Sequence, residues 1–276
     1  MSYIDYATYH RMSLEAKDID PSITCLRYLS DRFELNIEQR YWIAFLYGTC
    51  YCAPTVFYIY NEFPDFECVD VNRLSNWWNA KKDNCIFQTD RQRIKSNNQF
   101  VDCFKSYKAL VKNSQQNYFR SKNWQEMYKK MEAIKYFGRF SLFNYLDVLN
   151  NITDINHKPT YLNMLEAESC RNGLAYAIDR IDLVDKKITK NDAILLHNTF
   201  IDFLRKYDGN VFQIETTLCA YKKYRRGSRY VGYYIDRMYG EIKKMEAAVT
   251  NGIYWNVLWQ FREETFERKY LYECKK

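Results

Sequence analysis

The stretch from Glu215 to Arg237 combines cations, tyrosine rings and carboxylates, residue types that could bind and process a nucleic acid. Its chemistry-bearing residues are Glu215, Cys219, Lys222, Lys223, Arg225, Arg226, Arg229, Tyr230, Tyr233, Tyr234, Asp236 and Arg237. Cations neutralise phosphates, and aromatic rings stack on bases that have left a duplex. The alternative is a solvated basic helix end with its tyrosines packed inside, and the residues alone favour neither interpretation.

Three further polar segments are hard to explain as plain helix surface. The first, Asn61–Phe66, places Glu62 and Asp65 among aromatic rings around a proline, which alone favours a helix end with a hydrophobic staple. The second, Gln88–Arg91, is explained equally well as a solvated loop. The third, Glu166–Gly173, predicts a polar loop that leads into a helix, where free backbone N–H groups favour an anion.

Several common kinds of active site have no signal in the chain. The three histidines are far apart in sequence and none has a second ligand at metal spacing, so we expect no metal site. No glycine-rich phosphate loop and no dinucleotide-binding motif is present. There is also no Gly-x-Ser-x-Gly motif of a serine hydrolase. With histidine so scarce, a carboxylate is the expected general base of any proton transfer.

Composition favours a helical globular protein. The chain has 276 residues, 47% of them hydrophobic, with 26 tyrosines and a net charge of +7. Such a charge permits contact with phosphates without requiring it. The nine cysteines have no zinc or redox spacing and are expected to be reduced, small buried side chains. The first five residues have no signal-peptide pattern and no run of 18 apolar residues exists, so we expect a cytoplasmic protein without membrane contact.

The elements that must position these residues are expected to be helices with short connections. Eight glycines and four prolines are too few for a fold made of many short strands and tight turns. No repeat, linker or low-complexity segment divides the chain. The sequence therefore predicts an all-α, compact multi-helix domain over residues 1–276, with room for two helical lobes.

Hydrophobic spacing and capping residues locate the helices. We predict helices over Ile37–Tyr51, from Pro54 to about Tyr60, after Asp70, over Val101–Val111, between Ser121 and Gly138, over Phe140–Leu149, between Thr189 and Gly209, and over Phe212–Tyr224, Tyr230–Ala247 and Ile253–Arg268. Asp70 and Ser121 are predicted N-caps, and Gly138 is expected to end the helix that begins after Ser121. Thr189 with Asp192 has the spacing of a capping box.

Seven pieces of the sequence, in order, resemble the amino acid:DNA transferases of bacterial viruses with hypermodified thymine. This family is related to the α-glutamyl/putrescinyl thymine pyrophosphorylases. The similar pieces are Gln39–Gly48, Asn61–Phe66, Gln88–Asp90, Phe137–Phe140, Arg171–Leu174, Glu215–Lys223 and Arg229–Arg237. They extend over residues 39–237, and their order and spacing carry the resemblance.

The resemblance implies a fold and a reaction. The family is thought to be all-helical and distantly similar to helix-hairpin-helix DNA glycosylases, although this chain has no clear Leu-x-Gly-x-Gly hairpin. The implied substrate is 5-hydroxymethyluracil in double-stranded viral DNA, already pyrophosphorylated by an upstream hydroxymethyluracil DNA kinase. The transferase replaces pyrophosphate with a free amino acid of the glycine, serine or glutamate class. The setting would be the cytoplasm of an infected bacterium.

Each step of that reaction needs a residue type that the matching pieces contain. For the charge of the leaving pyrophosphate we choose Lys222, Arg237 and Arg139. For a flipped base the candidates are Tyr233, Tyr234 and Asn172, with Glu215 on the face of Lys222. The carboxylate of the donor suits a bidentate arginine, Arg171 or Arg91. The candidate general bases, in order, are Asp236, Glu62 and Asp90.

No cofactor is required by this scheme, although pyrophosphate can bring Mg²⁺ with it. Two alternatives stay open: a DNA glycosylase-like base-processing enzyme, and a non-catalytic DNA-binding subunit of a modification complex. A pure binder would need the cations and rings but not the acids that accompany them in several segments.

Overall fold

A computed structural model describes residues 3–207, 209–249 and 255–271 of the chain. In these ranges the protein contains fifteen α-helices and four short 3-10 helices, and no strand. The all-α prediction is therefore confirmed. The α-helices are α1 (Tyr6–Glu15), α2 (Pro21–Arg32), α3 (Ile37–Cys50), α4 (Ala53–Glu62), α5 (Val71–Lys81), α6 (Gln92–Ser96), α7 (Phe100–Val111), α8 (Gln115–Phe119), α9 (Trp124–Glu132), α10 (Arg139–Ile152), α11 (Glu168–Ala177), α12 (Lys190–Lys206), α13 (Val211–Arg225), α14 (Tyr233–Ala248) and α15 (Trp255–Thr265).

The described residues group into two compact units. Unit 1 takes its residues from 1–21, 158–236 and 266–276, and unit 2 takes its residues from 22–157 and 237–265. A single domain over 1–276 and a helix-hairpin-helix likeness both stay predictions. None of the helices in the described ranges has the length and hydrophobicity needed to cross a bilayer.

Helix α3 forms the centre of unit 2. Every side chain from Tyr41 to Cys50 is buried, and α3 packs against α4, α8 and α10. Its rings stack on those of neighbouring helices: the Phe45 and Tyr107 ring centroids are 3.9 Å apart. The buried Tyr107 hydroxyl donates to the side chain of Gln115, so this tyrosine adds area to the core without leaving a polar group unsatisfied.

Unit 1 is built on the close packing of α11 against α13. A Cβ atom on Gly173 of α11 would lie 2.0 Å from the backbone oxygen of Leu218 in α13. Glycine is therefore needed at position 173 because any side chain would force the two backbones apart. Helices α1 and α12 pack on the same pair.

Most of the predicted helices are confirmed to within a few residues because their signals are local. Asp70 accepts the Arg73 N–H and caps α5. Thr189 and Asp192 form the predicted capping box at the start of α12.

Three of the predicted boundaries differ from the structure. Ser121 is not a cap, because its hydroxyl donates back to Phe119 O; Asn123 caps α9 instead. Gly138 does not end α9, which stops at Glu132; it is the N-cap residue of α10. Helix α14 begins at Tyr233 rather than Tyr230, after Gly232 with φ +94°. The predicted start of the last helix at Ile253 lies outside the described residues.

Candidate active site

Arg91 is the centre of a group of candidate residues in unit 2. It is fully buried, and its guanidinium carbon lies 5.0 Å from the ring centroid of Tyr51 and 4.6 Å from that of Phe140. Its Nε donates to the Gly48 carbonyl at 3.3 Å. A desolvated guanidinium between two rings gains about 2 kcal/mol from each cation–π contact. A buried charge also needs a counter-charge, which Asp90 supplies at 2.8 Å.

The turn that carries Asp90 is conformationally unusual. Thr89, a β-branched residue, has φ +54°, in the left-handed region that such residues rarely adopt. Its hydroxyl donates to the Asp90 carboxylate, which also lies 3.9 Å from the guanidinium of Arg93. The side chain of Asp90 is 33% exposed and that of Arg91 is 0% exposed. The carboxylate of Asp90 is therefore partly exposed to solvent, whereas the guanidinium that it pairs with is buried.

Arg237 of α14 lies on the same aromatic surface. Its guanidinium carbon is 5.1 Å from the Tyr51 ring centroid, and its Nε is 3.2 Å from the buried carboxylate of Glu241. Gln88 donates to that same carboxylate at 2.7 Å. The structure thus brings together three predicted residues, Asp90, Arg91 and Arg237. Together with Tyr51 and Phe140 we call them the arginine–aromatic cluster.

Two predicted residues of unit 2 have other surroundings. Glu62, the last residue of α4, forms a 2.7 Å ion pair with the exposed Arg73, whose guanidinium also lies over Phe63. An exposed pair of this kind contributes little stability. Arg139 is the first residue of α10 and precedes Phe140 in the chain, so it stands at the helix N-terminus.

In unit 1, Asn172 is bound to Asp185. The amide nitrogen of Asn172 donates to the Asp185 carboxylate at 2.8 Å, and its amide oxygen accepts the Asp185 N–H at 3.1 Å. Arg226 donates to the other oxygen of that carboxylate at 2.6 Å. Arg226 and, more weakly, Lys222 lower the pKa of Asp185. A base-reading role for Asn172 stays a prediction, since both ends of its amide have partners here.

Arg171 lies inside α11 and not in a loop before it, contrary to expectation, because α11 already begins at Glu168. Its side chain is buried and donates to the carbonyls of Leu165 at 2.7 Å and Lys186 at 3.4 Å. These contacts tie two loops to the helix. The predicted binding of a donor carboxylate by Arg171 stays a prediction.

The face of α13 predicted to hold Glu215, Cys219 and Lys222 is present. The Cys219 thiol donates to the buried Glu215 carboxylate at 3.3 Å. Burial, together with the Glu215 charge, raises the pKa of Cys219 far above its usual range. The thiol is therefore protonated and is no nucleophile at neutral pH.

At the N-terminus of α14 the backbone N–H groups have a partner in Asp18, a residue that no sequence motif marks as part of a site. Its carboxylate accepts the N–H groups of Gly232, Tyr234 and Ile235 at 2.8, 2.9 and 3.1 Å. Burial raises the pKa of Asp18 to about 7, an effect that these amides oppose and the Asp236 charge increases.

The first turn of α14 displays three predicted residues. The guanidinium of Arg229 lies 4.7 Å from the ring centroid of Tyr233 and 4.5 Å from that of Tyr234. Tyr230 donates its hydroxyl to the Asp236 carboxylate at 2.6 Å. Tyr233 is half-buried and Tyr234 is buried, so Tyr233 has the more accessible ring.

Metal-ligating side chains are not grouped in the described part of the chain. No set of three His, Cys, Asp or Glu residues there could hold a metal ion. The eight cysteines in it are free thiols.

Comparison with known proteins gives two matches. The family model of the amino acid:DNA transferases matches residues 15–230, which ends just before α14. A protein of Salmonella phage ViI named serinyltransferase is 30% identical over an alignment of 247 residues. That alignment covers 76% of this chain and 60% of the phage protein, so the chain spans less than two thirds of its relative's length.

Proposed function

The chain belongs to the amino acid:DNA transferase family, and we propose that it attaches an amino acid to a pyrophosphorylated 5-hydroxymethyluracil in DNA. The observation that carries this proposal is the family match over residues 15–230. The matched residues include every helix of unit 2 up to α10, and all members of the arginine–aromatic cluster except Arg237. The name of the phage relative supports serine as the first donor to test.

The reaction exchanges one bond at the exocyclic carbon of the base. The hydroxyl or amine of the donor attacks that carbon, and the bond from the carbon to the pyrophosphate oxygen breaks. Pyrophosphate leaves with the bonding electrons, and the proton of the nucleophile passes to a general base. The protein must therefore neutralise the leaving charge, hold the base and the donor, and accept one proton.

We assign the stabilisation of the negative charge on the leaving pyrophosphate to Lys222, Arg237 and Arg139. The position of Arg237 beside the Tyr51 ring and the buried Arg91 supports this role. A cation held by fixed contacts costs little reorganisation when charge develops in the transition state.

We assign the binding of the flipped base to Tyr233 and Tyr234, whose rings would stack on it. Asn172 would form hydrogen bonds with the edge of the base, and Glu215 of α13 is a further candidate. The half-buried ring of Tyr233 already carries a guanidinium, that of Arg229, at stacking distance. A base could replace or extend that stack.

We assign the binding of the donor carboxylate to Arg171 or Arg91. The candidates for the general base are, in order, Asp236, Glu62 and Asp90. Asp236 is preferred because it is half-buried and accepts a hydrogen bond from Tyr230. Asp90 has two arginines beside it, and Glu62 has one.

The partners follow from the reaction. We propose double-stranded viral DNA and a free amino acid as substrates, and an upstream kinase that pyrophosphorylates hydroxymethyluracil. The place of action would be the cytoplasm of the infected bacterium.

The test supplies purified protein with pyrophosphorylated hydroxymethyluracil DNA and isotope-labelled serine. We expect label in the DNA and an equal amount of released pyrophosphate. DNA with unphosphorylated hydroxymethyluracil is the control and should take up no label. Release of free base with alkali-labile breaks would instead indicate a glycosylase, and salt-sensitive binding without any turnover would indicate a DNA-binding subunit.

A further inference from the structure

The N-terminus of α10 has an unusual electrostatic environment. Helix N-termini carry a partial positive charge and are usually capped by Ser, Thr, Asp or Asn, often with acids in the first turn. Here the N-cap residue is Gly138, which offers no side chain, and the first turn contains Arg139 and no acid. Nothing in the helix itself offsets the positive end of its dipole.

Two more arginines add to this positive charge. The Nη2 atom of Arg93 lies 3.4 Å from the position that a Cβ on Gly138 would occupy. Arg91 lies against the ring of Phe140 in the first turn. Asp90 pairs with both arginines, at 2.8 and 3.9 Å. Three guanidinium groups with one carboxylate leave about two positive charges beside a positive helix end, which is unfavourable without an anion.

Two buried polar groups at the same place provide a second observation. Arg91 is 0% exposed and Ser141, in the first turn of α10, is 1% exposed. Within residues 3–207, 209–249 and 255–271, the Nη2 of Arg91 and the hydroxyl of Ser141 have no hydrogen-bond partner. A buried polar atom left unsatisfied is costly, and a bound ion is one of the partners that can satisfy it.

We infer that the N-terminus of α10, with Arg93 and Arg139, is a binding site for a diphosphate, with Arg91 and Ser141 beneath it. The inference rests on the proposed function, in which this diphosphate is the leaving pyrophosphate. It adds Arg93 and Ser141 to the residues concerned, and it assigns Arg91 to the leaving group, which leaves Arg171 for the donor carboxylate.

The charge balance favours a diphosphate over other anions. A carboxylate or a backbone phosphodiester carries one negative charge, whereas pyrophosphate carries several. Arg93 is 53% exposed and Arg139 is half-buried, so both can reach a ligand from solvent. The buried Arg91 acts through a poorly screened field, and planar guanidinium groups suit phosphate oxygens.

The test titrates inorganic pyrophosphate into the protein by calorimetry, without DNA or amino acid. We expect Arg93→Gln and Arg139→Gln each to weaken binding about tenfold or more, as the loss of a charge-assisted hydrogen bond does. The matched control is Arg205→Gln, which removes a 77% exposed arginine of α12 and should change nothing. Unchanged affinity in both site variants would overturn the inference.

A gain-of-cap variant separates binding from folding. Gly138 has φ −95° and ψ 177°, which an aspartate N-cap adopts, and the space around its Cβ position is ordinary. Gly138→Asp should therefore raise the thermal stability through capping and abolish pyrophosphate binding by occupying the amides. A stable Gly138→Asp protein that still binds pyrophosphate as tightly would contradict the inference.

Two further titrations identify the source of the anion. Serine and acetate should not displace pyrophosphate, and unmodified DNA should bind the Arg93→Gln and wild-type proteins alike. Competition by a carboxylate, or a loss of DNA affinity without a loss of pyrophosphate affinity, would overturn the diphosphate assignment. Pyrophosphate binding needs no turnover, so arginine-dependent binding without transferase activity would reject the proposed function and keep this site.

Discussion

Replacing Gly173 with alanine tests why the Arg-Asn-Gly segment ends in glycine. The added Cβ would lie 2.0 Å from the backbone oxygen of Leu218, whereas real Cβ atoms essentially never come within 3.0 Å of another heavy atom. Helices α11 and α13 would have to part by about 1 Å at this point. The obstacle is a helix backbone and cannot rotate away, so we expect the upper end of the usual overpacking penalty, about 3 kcal/mol.

Part of that penalty is offset, because alanine is favoured over glycine in a helix by about 1 kcal/mol. The net destabilisation is about 2 kcal/mol, or a fall in Tm of about 4–8 °C for a protein of this size. The assay is thermal unfolding followed by circular dichroism. The matched control is Gly240→Ala in α14, where nothing lies within 4 Å of the Cβ position, and there the same substitution should raise Tm. A Gly173→Ala protein as stable as wild type would refute the close-packing argument.

Three other outcomes follow from the site. Burial raises the pKa of Asp18 from 3.8 to about 7. The contribution of Asp18 to the free energy of unfolding is therefore full below pH 4 and is lost as the pH rises through 7, by up to about 1.4 kcal/mol per pH unit. Denaturant titrations at several pH values should show this slope, and Asp18→Asn should flatten it. Arg91→Lys should lower the transfer rate about tenfold or more, since lysine cannot both stack between rings and donate from a planar fork; a rate within twofold of wild type would count against the arginine–aromatic cluster. Asp236→Asn should lower kcat about 100-fold with DNA affinity intact, as expected for a general base, whereas the exposed Asp202→Asn should keep full activity.

The sequence alone located most helices because capping and hydrophobic spacing are local. The Thr189–Asp192 box and the Asp70 cap each involve residues three apart in the chain. The wrong cap at Ser121 shows the limit of that reasoning. Ser121 and Asn123 are both good capping residues two positions apart, and which of them caps depends on where each side chain turns.

The site was harder to predict because its contacts are long-range. Asp18 meets amides more than 200 residues away, and no local pattern signals such a pairing. The polar segment Gln88–Arg91 marks Arg91 as a candidate, but its complete burial between Tyr51 and Phe140 depends on how α3 and α10 pack. Glu241 does have a local signal, since it stands four residues after Arg237, the spacing of a helical ion pair.

Nucleoside mass analysis of the product DNA tests the central claim most directly. The protein is incubated with pyrophosphorylated hydroxymethyluracil DNA and a mixture of all twenty amino acids, and the DNA is then digested to nucleosides. The account predicts one new, heavier nucleoside whose added mass corresponds to an amino acid joined at the exocyclic carbon, with serine the first candidate. A nucleoside profile identical to that of DNA incubated without protein would contradict it.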